Sequence, residues 1–137
     1  MKITVIDGQG GNIGKALITE LKKLNLSADI IAIGTNSMAT ENMLKANPDY
    51  AATGENPVIV NCRDSDYILG PIGIVMADSM LGEITPEMAK AIGGSKAYKL
   101  LIPINKCIYV AGVMEATLTD YIKDLINHLK TNLDKLK

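Results

Sequence analysis

The residues with the clearest chemical purpose lie near the start of the chain, in Asp7-Gly8-Gln9-Gly10-Gly11-Asn12-Ile13-Gly14. Four glycines fall within seven residues, directly after the β-branched run Ile3-Thr4-Val5-Ile6 and directly before a helical pattern. Glycine admits positive φ and lets a ligand approach the backbone with no Cβ in the way. A helix that starts at once aims unpaired N–H groups and the positive end of its dipole into such a turn. Strand, glycine turn and helix N-terminus together form an anion site, commonly for phosphate. The expectation is that Gly8, Gln9, Gly10, Gly11, Asn12, Ile13 and Gly14 hold the phosphate of a small ligand. The alternative left open by the residues is a glycine turn needed only for close strand–helix packing.

The spacing is Gly8-x-x-Gly11-x-x-Gly14, because Ile13 stands where G-x-G-x-x-G requires glycine. This loop resembles that of atypical and extended short-chain dehydrogenase/reductases, in which a run like Gly11-Asn12-Ile13-Gly14 is common; Asp7 departs from the threonine often found there. The resemblance implies NAD(P) or another nucleotide as cofactor, and the rest of the chain tests it. A nicotinamide dinucleotide site places Asp or Glu about 20 residues beyond the loop, at the end of the second strand, for the ribose 2′-OH. That place holds Gly34-Thr35-Asn36, and the first acid beyond it is Glu41. No Arg or Lys is there for a 2′-phosphate, and no tyrosine has a lysine four residues on, as the proton-transferring pair of these dehydrogenases would require. The binding loop survives without that catalytic apparatus.

Other chemistries find less support. His128 is the single histidine, set mid-helix among Asn127, Leu129 and Lys130, and reads as a surface residue. With one His and two distant cysteines, Cys62 and Cys107, a structural zinc site has too few ligands. Cys107 beside Lys106 suggests a lowered thiol pKa, but a partly buried, inert thiol is the more ordinary state of free cysteine. Flavodoxin is of similar size, yet no flavin-stacking aromatics are evident and its phosphate loop is hydroxyl-rich. A receiver domain would match Asp7 and Lys106 but needs a further acidic pair and a phosphorylatable Asp that cannot be assigned. Glu55 and Asp78 qualify as acid–base groups only if they face a pocket.

The elements that must position these residues alternate between strand and helix. Lys2–Asp7 reads as a strand and Asn12–Leu24 as a helix with Ile13, Leu17, Leu21 and Leu24 on one face. Ala28–Gly34 is a nearly continuous apolar strand, as expected with helices on both sides. Asn36 or Ser37 caps a helix to about Ala46, and Tyr50–Thr53 is a short strand. Residues 55–63 read either as a short helix or as another strand, since Val58-Ile59-Val60 is β-branched. Asp66–Gly70 is a strand leading into Gly70-Pro71-Ile72-Gly73. A helix over Ile74–Leu81 is expected, restarted by Thr85-Pro86-Glu87 and closed by Gly93-Gly94. Lys99–Ile104 and Ile108–Val113 read as strands joined at Asn105-Lys106. Thr117 and Asp120 suit a capping box for a closing helix with Leu118, Ile122, Leu125, Leu129 and Leu136 on one side.

This order argues for one α/β domain over residues 1–137, Rossmann-like and doubly wound. Its sheet would be mainly parallel, of five to six strands, with helices on both faces. Right-handed crossovers then bring all strand C-termini to one rim. The candidate ligand loops there are the glycine turn, Thr35-Asn36, Thr53-Gly54-Glu55-Asn56, Gly70-Pro71 and Asn105. The chain is 47% apolar and 21% charged, with 14 basic against 15 acidic residues and a net charge of −1. That balance argues against nucleic acid as a partner. No run of apolar residues is long enough for a membrane span, the start of the chain does not read as a signal peptide, and the cysteine spacing suits reduced thiols in a cytoplasmic protein.

Taken whole, the sequence resembles a family of short bacterial and archaeal proteins known only as a domain of unknown function. The likeness runs through residues 5–11 and 13–15, Gly34-Thr35-Asn36, Ala39-Thr40, residues 43–46, residues 52–56, residues 70–74 and residues 80–83. It implies the fold and the loops and supplies no reaction. Two functions remain in view. One is a binding protein for a nucleotide or other phosphorylated metabolite, its site completed by loops or by a second subunit of a homo-oligomer. The other is a non-catalytic sensor or interaction module that keeps the scaffold.

Overall fold

Along Lys2–Asp7 (β1), Ile3 and Val5 point to one face of a sheet and Ile6 to the other; Ile30 and Ala32 oppose Ile31 and Ile33 in the same way along Asp29–Gly34 (β2). Side chains of a strand alternate between faces, so a run apolar at nearly every position must be covered on both. The computed structural model, which describes residues 1–136, has this arrangement. Tyr50–Thr53 (β3), Tyr67–Pro71 (β4) and Tyr98–Ile102 (β5) complete a five-stranded, wholly parallel sheet in the order β3-β2-β1-β4-β5. Helices Asn12–Lys23 (α1), Ser37–Leu44 (α2) and Leu118–Lys135 (α5) pack on one face, where Leu17, Leu21, Met43, Leu125 and Leu129 are buried. Glu55–Cys62 (α3) and Pro86–Gly93 (α4) cover the other with Val58, Cys62, Met88 and Ile92.

The helix starts follow their residues. The Asn36 side chain accepts from Ala39 N–H at 2.8 Å and caps α2. Thr85 caps α4 ahead of Pro86, and Thr117 with Asp120 forms the capping box of α5. Residues 55–62 are helical despite their β-branched run, because Pro57 falls in the first turn, where its missing donor costs nothing, and the helix buries Val58 and Cys62.

Two expected elements are absent. Residues 74–81 are not an α-helix: Ile72–Val75 is a short 3₁₀ turn, and the chain beyond it is irregular. Asp78 N–H donates to Ile84 O at 2.7 Å, and Asp78, Met80 and Leu81 all have positive φ, so bonds within the loop replace the helical ladder. Nor do residues 108–113 form a strand. β5 stops at Ile102, before Pro103, and Asn105 Oδ1 turns the chain by accepting Cys107 N–H at 2.8 Å. The following segment therefore leaves the sheet, with β5 at its edge.

Candidate functional site

In parallel sheets the strand C-termini share a rim, and ligands bind where the strand order reverses. Here the chain runs outward from β1 through β2 to β3, then crosses over to β4 and β5. The reversal lies between β1 and β4. A cleft of about 570 Å³ opens there, lined by Asp7 and Gly8 to Ile13 from the first loop, Pro71 at the end of β4 with Gly73 just beyond it, Met80 and Leu81, and Ile104 to Lys106 after β5. This is ample for a small ligand. Lys106 is the only cation among the described lining residues.

The glycine loop is built differently from the sequence expectation. Asp7, only 4% exposed, turns its carboxylate back on the loop: Oδ1 accepts from Gly8 N–H at 2.8 Å and Oδ2 from Gly14 N–H at 2.7 Å. Ile13 N–H also bonds this carboxylate. The amides of Ile13 and Gly14 lie in the first turn of α1, whose N-cap Gly11 offers no side chain. The protein's own acid thus caps the helix whose dipole was expected to attract phosphate. Burial raises the Asp7 pKa above the ordinary carboxyl value against the pull of these amides, and the charge of Glu83 adds to the rise.

Glu83, at the end of the irregular segment, gathers three further polar groups of this corner. Its Oε1 accepts from Gln9 N–H at 2.8 Å, Thr35 Oγ1 at 2.6 Å and Asn36 Nδ2 at 2.7 Å. Burial alone would raise its pKa, but the bonds from Thr35, Gln9 and Asn36 together outweigh that and hold it below the usual value. Asn36 Nδ2 also donates to Gln9 O at 3.0 Å, and Asn42 Nδ2 to Gly10 O at 2.9 Å, tying the loop to α2.

The glycines serve packing as much as access. A Cβ on Gly8 would stand 2.7 Å from both Met80 Sδ and Thr35 Oγ1 and 3.0 Å from Glu83 Oε1. Gly11, at φ +74°, would meet Ala39 O at 2.6 Å, and Gly14 would meet Met43 Sδ at 2.4 Å. Gly10 differs: the nearest atom to its Cβ would be Asn12 Nδ2, at 3.6 Å.

Of the remaining candidates, Pro71 and Asn105 line the cleft. Thr35 and Asn36 reach the loop through Glu83. Gly70 is buried within β4, where a Cβ would strike Ile6 O at 2.3 Å. The loop at Thr53, Gly54, Glu55 and Asn56 lies outside the cleft, at the end of edge strand β3. Thr53 Oγ1 pairs with Thr40 Oγ1 at 2.7 Å, and Glu55 accepts from Thr85 Oγ1 at 2.6 Å. Asp78 is engaged by its backbone in the irregular segment and is not among the lining residues.

Cys107 is exposed, not partly buried as expected, because the segment after β5 leaves the sheet. The buried thiol is Cys62, whose pKa burial pushes up to about 11. His128, exposed as expected, shares a hydrogen bond of 2.8 Å with Tyr98 Oη. Among the described residues no group of side chains is suited to hold a metal ion, and no helix is long and apolar enough to cross a membrane.

Glu83 is the site residue that sequence reasoning missed. Its partners lie 47 to 74 residues away in the chain, beyond the reach of any local pattern. Asp7, immediately before the first glycine, did carry a signal.

The chain is similar in fold to the crystal structure of a dodecameric FMN-dependent UbiX-like decarboxylase from Escherichia coli O157:H7. The TM-score is 0.51 at 14% sequence identity, covering 95% of this chain and 76% of that one. No curated protein matches the sequence. A family model described as Domain of unknown function (DUF3842) matches residues 2–134, nearly the whole sheet-and-helix framework described above, and the chain therefore belongs to the DUF3842 family.

Proposed function

We propose that the protein binds a small phosphorylated ligand of the nucleotide class in the cleft between the ends of β1 and β4. The carrying observation is the cleft's position at the strand-order reversal, with backbone from Gly8 to Ile13 on one side and Asn105 and Lys106 on the other. Asp7 and Glu83 already occupy amides of the glycine loop, so the anionic end of the ligand is assigned to Lys106 and Asn105 and its neutral part to the loop. Lysine suits this role as a flexible point charge. NAD, NADP, AMP, sugar phosphates and FMN are the ligands to try, FMN because the fold neighbour is FMN-dependent.

A thermal-shift series tests the reading. A ligand at about 100 times its dissociation constant should add about 2.7 kcal/mol of stability. Gly10→Glu places a bulky negative side chain at the cleft in a position that accepts a Cβ, and Lys106→Ala removes the cation. Both should unfold like the wild type without ligand and lose the shift with it. A shift that persists in both variants places the ligand elsewhere.

A second reading, a non-catalytic module acting through protein contacts, is favoured by the same internal satisfaction of the glycine loop. Its surface would be the segment after β5, where Tyr109 is 86% and Met114 83% exposed beside an edge strand, and its partner a second copy of the chain. Exposed apolar side chains grouped next to an open sheet edge are common at association surfaces.

A further inference from the structure

Away from the rim described above, a second cleft of about 570 Å³ lies between α3 and α4. Two of its lining residues, Arg63 and Lys96, stand in the links that lead into β4 and β5, so it opens at the end of the sheet where those strands begin. We propose that this cleft binds a small organic anion with a short apolar body. Arg63, Lys90 and Lys96 hold the charged head, and Ile59, Cys62 and Ala91 receive the body. The inference stands apart from the nucleotide reading, and neither depends on the other.

Charge is the first support. Arg63, Lys90 and Lys96 are all exposed, and among the described residues none of them makes a salt bridge. Elsewhere lysines have acids to hand: Lys2 pairs with Asp64, Lys22 with Asp49 and Lys23 with Glu20. Asp64 adjoins Arg63 in the chain, yet its carboxylate is taken by Lys2 at 2.6 Å. Glu87 is the one acid among the described lining residues, against three cations. In a chain of net charge −1, that is a local excess of positive charge around a hollow. A cleft walled by one sign of charge concentrates ions of the other.

The floor is the second. Ile59 and Ala91 are half-buried, and Cys62 is 3% exposed. An apolar base beneath a few charged groups is the ordinary make-up of a small-molecule site, and this volume is within the ordinary range. A bare inorganic ion would leave that base uncovered, so the ligand needs an apolar part.

The third is a wall held by internal bonds. Ser95 Oγ donates to Cys62 O at 2.7 Å and accepts from Ala97 N–H at 3.1 Å, joining the link after α4 to the end of α3. Lys99 Nζ donates to Ser95 O at 2.6 Å and to Ala97 O at 3.1 Å, on either side of Lys96. The backbone that carries Lys96 is thereby fixed without using its ammonium. Cations at helix C-termini also offset the helix dipole, which accounts for Arg63 at the end of α3 and Lys90 in the last turn of α4. Lys96 lies beyond both helices, and a dipole role needs no cavity.

Titration calorimetry with probes that share a tail or a head tests the assignment. Octanoate should bind, and octanol and octylamine, which lack the negative charge, should bind at least about tenfold more weakly. Acetate, which lacks the tail, should also bind at least about tenfold more weakly. Lys90→Gln combined with Lys96→Gln should weaken octanoate binding by at least about tenfold while the circular dichroism of the fold stays unchanged. Cys62 reports where the probe sits: with Cys107→Ser silencing the exposed thiol, octanoate should slow alkylation of Cys62. The proposal is overturned if octanoate does not bind, or if octanol, octylamine or acetate matches it. It is equally overturned if the double variant binds octanoate as the wild type does, or if octanoate leaves Cys62 labelling unaffected. The probe series needs only the wild type, so it decides the matter whatever the variants do.

Discussion

At the ends of β1 and β2, two carboxylates gather hydrogen bonds from Gly8, Ile13 and Gly14 on one side and from Gln9, Thr35 and Asn36 on the other. Beyond β5 the same rim is built from residues 103–116, which hold no regular structure and leave Tyr109 and Met114 in solvent. The first region has its geometry fixed by internal bonds. In the second no residue is fully buried, the condition under which segments open most readily. The contrast shows two ways of building one rim: hydrogen bonds to carboxylates at the ends of β1 and β2, and exposed turns beyond β5.

Removing the Asp7 carboxylate should be the most damaging change to the fixed side. Asp7→Ala leaves buried amides of Gly8, Ile13 and Gly14 without their acceptor and should cost about 2–4 kcal/mol in urea unfolding. A loss under about 0.5 kcal/mol would mean that this corner does not depend on its carboxylate. Gly11→Ala, forced to hold positive φ with a Cβ pressed on Ala39 O, should cost about 1–3 kcal/mol, whereas Gly10→Ala should stay within about 0.5 kcal/mol. If the two glycines respond alike, the packing account of the loop is wrong. Glu83→Ala should cost about 1–2 kcal/mol, less than Asp7→Ala because solvent reaches the freed donors.

Acid titration of stability separates the two carboxylates by sign. Asp7 has a raised pKa in the folded chain, so its share of stability grows as pH falls from that value toward the unfolded one. Glu83 has a lowered pKa, so its share is complete above its unfolded value and is lost as pH falls through the folded one. Between about pH 3 and 7, unfolding curves of Glu83→Gln should therefore lose stability less steeply in acid than the wild type, and those of Asp7→Asn more steeply. Equal slopes for both variants would erase the distinction.

On the β5 side, Tyr109→Ser with Met114→Ser should change monomer stability by no more than about 0.5 kcal/mol. If the segment joins two copies, sedimentation of the wild type should show a larger species that this variant lacks. A wild type that sediments as a monomer at all concentrations would remove the second copy as a partner.

Much of the framework was legible because the apolar pattern of each strand is continuous and the caps are local: Asn36, Thr85 and Thr117 announce their helices within three residues. Residues 55–62 were ambiguous because β-branched composition favours a strand, while an early proline and the burial of Val58 favour a helix. The segments at 74–81 and 108–113 misled for a shared reason. Their composition suits regular structure, but hydrogen bonds within the loop, among them Asp78 N–H to Ile84 O, and the end of β5 before Pro103 decide otherwise. At the site, the glycine spacing marked a loop that lines a cleft on this rim, as Pro71 and Asn105 also do. The identity of what fills the loop amides depended on Glu83, which only the folded chain brings near.

The carboxylate placed just ahead of the glycine run has a wider use. A sequence in which an acid directly precedes such a turn advertises a helix that has already found its counter-ion, five residues before it begins. When other chains are screened for phosphate loops by glycine spacing, that one preceding letter is a reason to ask whether the loop amides are already taken, as those of Gly8 and Gly14 are here.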